Sequence, residues 1–292
     1  DHRPDVLILV DYPGFNLRIA KWARELGLRI VYYISPQVWA WKENRVHSIK
    51  KNVDKMMVIL PFEKAFYQKW NFEVDYVGHP LVEVVDAFKQ TGNHLSIADL
   101  SEDHKEVIAL LPGSRKQEIL KKLPVMLELT KEFPEYQFVV AKAPGLDEHF
   151  YTNLLQPYHN VSSVLNKTYE LLSISKAALV TSGTATLETA LFGVPEIICY
   201  KGNAISYQIA KRLISIKFIG LVNLIMDKEV VKELIQYDLT VPNLATELKK
   251  LLEDPIKIKQ VQEDYRQLKA LLSQGGHASA NAARLVYDMI KA

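Results

Sequence analysis

Runs of consecutive apolar residues alternate with stretches of helical periodicity through the first 200 residues, and this alternation constrains the fold most strongly. The runs are continuous, as expected for strands buried on both faces of a parallel sheet. Nine strands are predicted, at residues 5–10, 29–34, 55–60, 74–77, 106–111, 136–141, 161–164, 177–181 and 195–200. Helical patterns lie between most of them, and such alternation produces right-handed crossovers. The sequence therefore predicts an α/β protein with parallel sheets.

A polar stretch at residues 83–105 interrupts this pattern. A fresh apolar strand follows it, so the domain boundary is predicted within the stretch. The expected domains are residues 1–90 and residues 91–292. Beyond residue 203 the chain is predicted to be wholly helical, and its last helix is a candidate to pack back on the first domain.

Composition narrows the class of protein. Lys and Arg number 36 and Asp and Glu number 34, so the net charge of +2 favours neither nucleic acid nor an anionic membrane as a partner. The single cysteine, Cys199, excludes an intrachain disulfide and a cysteine-based zinc site, and suits a reducing cytoplasm. The eight histidines form no HxxxH or HxH pair, so no metal is expected. No apolar run approaches the roughly 18 residues of a membrane span.

The loops after the strands are the candidate sites, because open parallel sheets bind ligands beyond the carboxyl ends of their strands. After the first strand of the second domain, Gly113 permits a tight turn, and Ser114 and Arg115 stand where a helix begins. Free N–H groups and the helix dipole favour an anion there, and Arg115 can bind a diphosphate through paired hydrogen bonds. A plain turn with a capping box from Ser114 to Gln117 explains the same residues.

A second loop of this domain, residues 181–188, also joins an apolar strand to a helix. Its nucleotide-binding candidates are Ser182, Gly183, Thr184 and Glu188. Glu188 lies about one turn into the helix, near enough to accept hydrogen bonds from vicinal sugar hydroxyls. The alternative is a capping cluster with Glu188 favourable to the helix dipole. Together, one loop can hold phosphates and the other a ribose.

Asp11 is the candidate catalytic residue of the first domain. It stands at the end of the first strand, before Pro13 and Gly14, on a turn from which it can act as a general base or orient a reacting hydroxyl. Capping of the following helix is the alternative.

Aromatic and basic residues indicate a lipid or membrane contact. The candidates are Trp39, Trp41 and Arg45 after the second strand, and Lys211 and Arg212 in the basic amphipathic stretch 203–219. Aromatic rings beside cations suit an amphiphile with an anionic head, or a membrane interface. Ordinary core packing is the alternative for the tryptophans and for the apolar face of the stretch.

Taken in order, these segments resemble one family, the lipid-A-disaccharide synthases. The resemblance spans nearly the whole chain and is specific as an ordered set, although each loop alone is weak. It rests on residues 11–16, 33–41, 60–64, 78–80, 110–115, 181–188 and 223–225. The family's glycine-rich first loop and first strands are absent, so the natural protein is expected to begin further upstream.

The resemblance implies a GT-B fold, in which two Rossmann-like domains face a cleft, and an inverting glycosyltransferase without a metal or other cofactor. The implied reaction joins UDP-2,3-diacylglucosamine to 2,3-diacylglucosamine 1-phosphate, and yields the β-1,6 lipid A disaccharide 1-phosphate and UDP. It also implies a cytoplasmic protein peripheral to the inner membrane, and some family members form homodimers.

The resemblance also implies roles for individual residues. Asp11 matches the family's candidate catalytic carboxylate, and Arg115 with the Gly113 turn matches the diphosphate contact. By analogy with GT-B enzymes, Glu188 holds the ribose, and Asn223 matches another active-site position without a defined role.

Two alternatives stay open on the residues. One is a GT-B enzyme that uses UDP-N-acetylglucosamine, such as a peptidoglycan transferase or a sugar-nucleotide epimerase, although the run from Ser35 to Trp41 argues against it. The other is a non-catalytic fragment that binds nucleotide or lipid.

Overall fold

The computed structural model describes residues 4–91, 96, 104–203 and 217–291. These residues form two parallel sheets and divide into two compact units. The first unit holds the described residues up to Val84 together with those from Lys269 onward. The second holds the described residues from Val85 to Leu268.

The first unit is built on four parallel strands in the order β1-β2-β3-β4. The apolar runs form its core, in which Ile30, Val31 and Tyr32 of the second strand are fully buried. The elements are β1 (Val6–Val10), α1 (Pro13–Glu25), β2 (Arg29–Tyr33), α2 (Arg45–Asn52), β3 (Lys55–Val58), α3 (Glu63–Gln68), β4 (Asp75–Tyr76) and the start of α4 (Pro80–Gln90), whose residues from Val85 onward belong to the second unit.

The second unit contains six parallel strands in the order β10-β9-β8-β5-β6-β7. Its elements begin with β5 (Val107–Leu111), α5 (Lys116–Leu129), β6 (Gln137–Lys142), α6 (Glu148–Leu155), β7 (Val161–Leu165), α7 (Thr168–Ile174), β8 (Ser175–Thr181), α8 (Thr184–Phe192) and β9 (Glu196–Tyr200), and continue with α9 (Leu221–Met226), β10 (Lys232–Ile235) and α10 (Val241–Glu253). The central strands β5 and β8 pair in parallel up to Leu111 and Val180. The loops that follow them therefore start side by side.

Two further helices, α11 (Pro255–Ser273) and α12 (Ala278–Lys291), complete the described chain. Helix α12 packs on the first sheet, and Asn281 Nδ2 donates a hydrogen bond to Val77 O over 3.1 Å. A Cβ atom on Gly275 would lie 2.3 Å from Gly78 N, so this close approach of two backbone segments requires glycine. Within the described residues, no helix is long and apolar enough to cross a membrane.

The α/β prediction is confirmed, and each of the nine predicted strands lies within two residues of its expected limits. The prediction that the chain is wholly helical beyond residue 203 is wrong, because β10 pairs in parallel with β9. The sequence of β10 begins with Lys232 and Glu233. The search for apolar runs does not detect it, because an edge strand does not need the continuous apolar run of a buried strand. Helix α4 also continues into the polar stretch, since Val85 on it is buried.

Candidate active site

Two loops of the second unit, one after β5 and one after β8, enclose a cavity of about 390 Å³. This volume lies within the usual range for small-molecule sites. Its wall includes the candidates Gly113, Ser114, Arg115, Ser182, Gly183, Thr184 and Glu188. Two distant segments of sequence thus contribute to one concave surface at the carboxyl ends of neighbouring strands, where doubly wound sheets bind ligands.

Gly113 determines the shape of the first loop. Its φ of 109° lies in a region that residues with side chains rarely adopt. A Cβ atom there would lie 3.1 Å from Glu118 Oε2 and 3.2 Å from Thr181 Cγ2. A larger residue would therefore strain the turn and push it away from the second loop.

Helix α5 begins directly after this turn without a side-chain cap. Its N-cap residue is Arg115, which is extended, so the capping box from Ser114 that was the alternative explanation of this turn does not form. The Arg115 side chain is 82% exposed, and its Nη1 donates to Glu118 Oε1 over 2.9 Å. An uncapped helix start beside an exposed guanidinium favours an anion.

The second loop presents another uncapped helix start to the same cavity. Gly183, with a φ of 145°, is the N-cap residue of α8, and no side chain caps the helix. Thr186 Oγ1 instead donates to Gly183 O over 2.8 Å, which holds the turn in place. The two helices thus direct the positive ends of their dipoles towards one volume.

Glu188 is fixed by a neighbouring phenol. Tyr169 Oη donates to Glu188 Oε1 over 2.7 Å. The Tyr169 ring contacts Phe88 and Phe192, with centroid distances of 5.4 Å and 5.2 Å. Burial and the Glu188 carboxylate raise the pKa of Tyr169, so the phenol remains a hydrogen-bond donor. One Glu188 oxygen is therefore held in place at the cavity wall.

The sequence reasoning missed a third wall of the cavity. Lys142 is the last residue of β6, the other neighbour of β5, and Pro144 lies just after it, while Thr168 begins α7. Lys142 Nζ lies 2.7 Å from Glu148 Oε2. The available signal was positional, because β6 ends beside β5 and its following loop reaches the same edge of the sheet.

Asn223 does not line this cavity. It is fully buried, and its amide is saturated by the turn that leads into β10. Its Nδ2 donates to Val231 O and Glu233 Oε1 over 2.8 and 2.9 Å. Its Oδ1 accepts from the N–H groups of Val230 and Val231 over 2.8 and 3.0 Å. The amide is thus engaged in holding this turn together.

Asp11 directly follows β1 in the first unit, with an exposed side chain and a left-handed backbone, φ 46°. Tyr12 is also left-handed, with φ 45°, and the start of α1 has no side-chain cap, so Asp11 does not serve as one. Tyr32 Oη and Asn16 Nδ2 donate to Asp11 O over 2.6 and 2.7 Å. Non-glycine residues in this conformation cost on the order of 1–3 kcal/mol each, so the surrounding contacts must hold the turn.

The candidate membrane contacts occupy different environments. Trp39 is half-buried and donates through Nε1 to the buried Glu63 Oε1 over 3.2 Å. Trp41 is 47% exposed. Lys42 Nζ and Arg45 Cζ lie 4.4 and 5.4 Å from its ring centroid. Lys211 and Arg212 lie outside the described residues.

Comparison with solved structures supports the fold. The chain is similar to the UDP-GlcNAc 2-epimerase from Neisseria meningitidis bound to UDP-GlcNAc, with a TM-score of 0.67, 14% identity, and 99% of this chain and 77% of that chain covered. It is also similar to CalG4, the calicheamicin glycosyltransferase, with a TM-score of 0.60, 16% identity, and 98% and 76% covered. The expected GT-B fold is confirmed.

Comparison with sequences supports the family. The family model for lipid-A-disaccharide synthetase matches residues 1–286. The lipid-A-disaccharide synthase of Syntrophus aciditrophicus is 42% identical over 99% of this chain and 76% of its own length. That of Geobacter sulfurreducens is 39% identical over 98% of this chain and 76% of its own length. The chain therefore belongs to the lipid-A-disaccharide synthase family of glycosyltransferases.

Proposed function

We propose that this chain transfers 2,3-diacylglucosamine from UDP-2,3-diacylglucosamine to the 6-hydroxyl of 2,3-diacylglucosamine 1-phosphate, in the biosynthesis of lipid A. The observation that carries the proposal is the convergence of two uncapped helix starts, a guanidinium and a fixed carboxylate on one cavity, in a chain of this family. That combination fits a nucleoside diphosphate, since it offers anion-binding groups at one end and a hydroxyl acceptor at the other.

In this proposal the first loop binds the diphosphate and Glu188 binds the ribose. The backbone N–H groups after Gly113 and the Arg115 side chain meet the phosphate oxygens. As the bond to the sugar breaks, negative charge grows on the departing UDP. Fixed donors and dipoles stabilise that charge most when they need no reorganisation, and these loops supply them from two rigid helices. The hydrogen bond from Tyr169 leaves the remaining lone pairs of Glu188 for the two ribose hydroxyls.

Asp11 is the proposed general base for the acceptor hydroxyl. This role is supported by the conformation of the turn that carries Asp11. Two consecutive left-handed residues, a phenol and an amide hold the main chain, while the carboxylate itself is exposed. Strained backbone persists where the surroundings determine it and is frequent at functional sites. The carboxylate is thus available to take the proton as the hydroxyl attacks.

A donor screen tests the function. The chain is expected to release UDP from UDP-2,3-diacylglucosamine only when the acylated acceptor is present. Turnover of UDP-N-acetylglucosamine at an equal rate would favour a different sugar-nucleotide enzyme. That alternative is not favoured by relatives that share about 40% identity over nearly the whole chain.

Substitution of Asp11 tests the proposed base. Asp11→Asn is expected to lower kcat by about 100-fold, within the usual range for general acid–base catalysis, and to leave UDP affinity unchanged. The control is Asp5→Asn, which changes an exposed carboxylate on the same unit and is expected to retain full turnover. Unchanged turnover of Asp11→Asn would remove Asp11 from the mechanism.

We also propose that the chain acts at the cytoplasmic surface of the inner membrane. The support is the exposed Trp41 with two cations beside its ring, an arrangement suited to an anionic lipid interface. Trp41→Ala with Arg45→Ala is expected to weaken association with anionic vesicles. Trp22→Ala, which removes another exposed tryptophan of the same unit, is the matched control. Equal partitioning of all three proteins would contradict the proposal.

Association into a homodimer is a further part of the proposal. Tyr287 and Ile290 on α12 are 56% and 39% exposed and offer apolar surface for it. Sedimentation equilibrium is expected to show a dimer that Tyr287→Ser weakens, and a monomer at all concentrations would contradict it.

A further inference from the structure

A buried lysine lies behind the wall of the nucleotide cavity. Lys122, on the second turn of α5, is 3% exposed, and Lys122 is the one lysine or arginine among the buried residues of the described chain. Its Nζ donates to Thr181 Oγ1 and lies 3.8 Å from Glu118 Oε2. A Cβ atom on Gly113 would lie 3.7 Å from the same Nζ. The ammonium thus lies directly behind the glycine turn and contacts Thr181, where β8 ends and the second loop begins.

The other cations at this cavity form shorter ion pairs with carboxylates than Lys122 does. Arg115 Nη1 lies 2.9 Å from Glu118 Oε1, and Lys142 Nζ lies 2.7 Å from Glu148 Oε2. The pair between Lys122 and Glu118 is longer, and the closer partner of Lys122 is a neutral hydroxyl. A buried ammonium with so little compensation is costly unless another anion shares its environment.

We propose that Lys122 is a positioning residue for the donor diphosphate. Its ammonium, held by Thr181, places a positive charge behind the Gly113 turn. This inference rests on the function proposed above, because it takes the diphosphate of the donor as the anion that shares the environment of Lys122.

The electrostatics agree with this geometry. Burial lowers the pKa of Lys122, and the Glu118 carboxylate raises it. A diphosphate in the cavity adds negative charge on the open side of the same turn and therefore favours the ammonium form. Salt screens a buried charge less than an exposed one, so Lys122 acts on the ligand more strongly than the exposed Lys121 beside it.

The test compares ligands with and without phosphates. Lys122→Met keeps the length and apolar volume of the stem and removes the charge. Calorimetric titration is expected to show that this variant binds UDP about tenfold more weakly and binds uridine with an affinity within about twofold of wild type, because only UDP carries the phosphate charge that the Lys122 ammonium attracts. Lys121→Met is the matched control and is expected to bind both ligands as wild type does.

The comparison separates a charge effect from a structural one. A purely structural role would weaken UDP and uridine by the same factor, and that result, or unchanged binding of UDP, would overturn the inference. Lys122→Gln keeps a donor for Thr181 without the charge and is expected to lose affinity for UDP but not for uridine. If Lys122→Met fails to fold, the Lys122→Gln variant tests the inference in its place. A wild-type chain that binds no UDP would instead overturn the proposed function, and this inference with it.

Discussion

The phenol of Tyr169 donates a hydrogen bond of 2.7 Å to Glu188 Oε1 at the wall of the cavity between the β5 and β8 loops. The two residues belong to different helices, α7 and α8, and the aromatic contacts of Tyr169 keep the phenol in place. This bond decides which oxygens of Glu188 are free for a ligand, so it links the packing of the second unit to the ribose contact that we propose for Glu188.

Removal of that phenol is expected to weaken nucleotide binding. Tyr169→Phe leaves the ring contacts and deletes the bond. A hydrogen bond to a charged group is worth about 1.5–3 kcal/mol and only part of it is lost from binding, so the Kd for UDP is expected to rise by roughly three- to tenfold. The preference for UDP over 2′-deoxy-UDP is expected to narrow at the same time. Tyr158→Phe is the control, because Tyr158 Oη makes a similar bond of 2.5 Å to Glu128, which does not line the cavity. Equal effects of both substitutions would contradict a specific role for Tyr169.

Arg115 is expected to stabilise the transition state of the reaction but not to contribute to the folding stability of the chain. Its side chain is 82% exposed, so Arg115→Ala should leave the melting temperature nearly unchanged. Loss of a charge-assisted contact to phosphate is expected to lower kcat/KM by about 10- to 100-fold. Arg266→Ala removes another exposed arginine that pairs with a glutamate three residues away, and serves as the control. Wild-type kcat/KM in Arg115→Ala would exclude this contact.

Gly113→Ala separates backbone strain from contact with the second loop. Gly113 and Gly193 both have positive φ, 109° and 84°, so an alanine at either position is expected to lower stability by about 1 kcal/mol or more. Only at Gly113 does the new Cβ also meet Glu118 and Thr181. UDP affinity is therefore expected to fall in Gly113→Ala and to remain in Gly193→Ala. Thermal melting and UDP titration on the two variants measure both effects, and equal UDP affinity would contradict the contact argument.

Glu63 makes the stability of the first unit depend on pH. Burial raises the pKa of Glu63 to about 7, against hydrogen bonds from Leu60 N, Trp39 Nε1 and Ile59 N that lower it. The folded unit therefore holds this proton more tightly than the unfolded chain does. The resulting stability is fully present below about pH 4.5 and is lost as pH rises through about 7.

The variant Glu63→Gln tests this dependence. Between pH 5 and 8 the wild-type unit is expected to lose on the order of 2 kcal/mol more than the variant, which cannot ionise at this position. Melting temperatures measured across that range check it. Glu73→Gln, which changes an exposed carboxylate of the same unit, should melt with the wild-type pH profile. Parallel profiles for wild type and Glu63→Gln would show that the carboxyl does not titrate in this window.

Local signals in the sequence were sufficient for nine of the ten strands in the described chain and for the strand-to-helix turns after β5 and β8. Continuous apolar runs mark strands buried on both faces, and glycine followed by hydroxyls marks each strand-to-helix turn, as at Gly113 and Gly183. These features depend on neighbours in the chain. The strand Lys232–Ile235 carried no such signal, because an edge strand tolerates charge.

Features that depend on tertiary contacts could not be predicted in this way. A lysine within a helical pattern is normally solvated. The sequence around Lys122 therefore does not predict that its ammonium is buried against Thr181. The phenol that fixes Glu188 lies 19 residues away in sequence. The hydrogen bonds of Asn223 are a further example, because nothing in its family motif indicates that its amide binds Val230, Val231 and Glu233 within the protein.

We propose that donor UDP binds at the helix starts of the second unit, with its diphosphate at the start of α5 and its ribose at the start of α8. The most direct test is to titrate the chain with UDP and to follow its backbone amide resonances by NMR. The largest shifts are expected at the amides of Gly113, Ser114, Gly183 and Thr184. When uridine replaces UDP, the shifts of Gly113 and Ser114 in the first loop should be absent. Saturable binding of UDP that leaves these four amides unchanged and shifts others would contradict the claim.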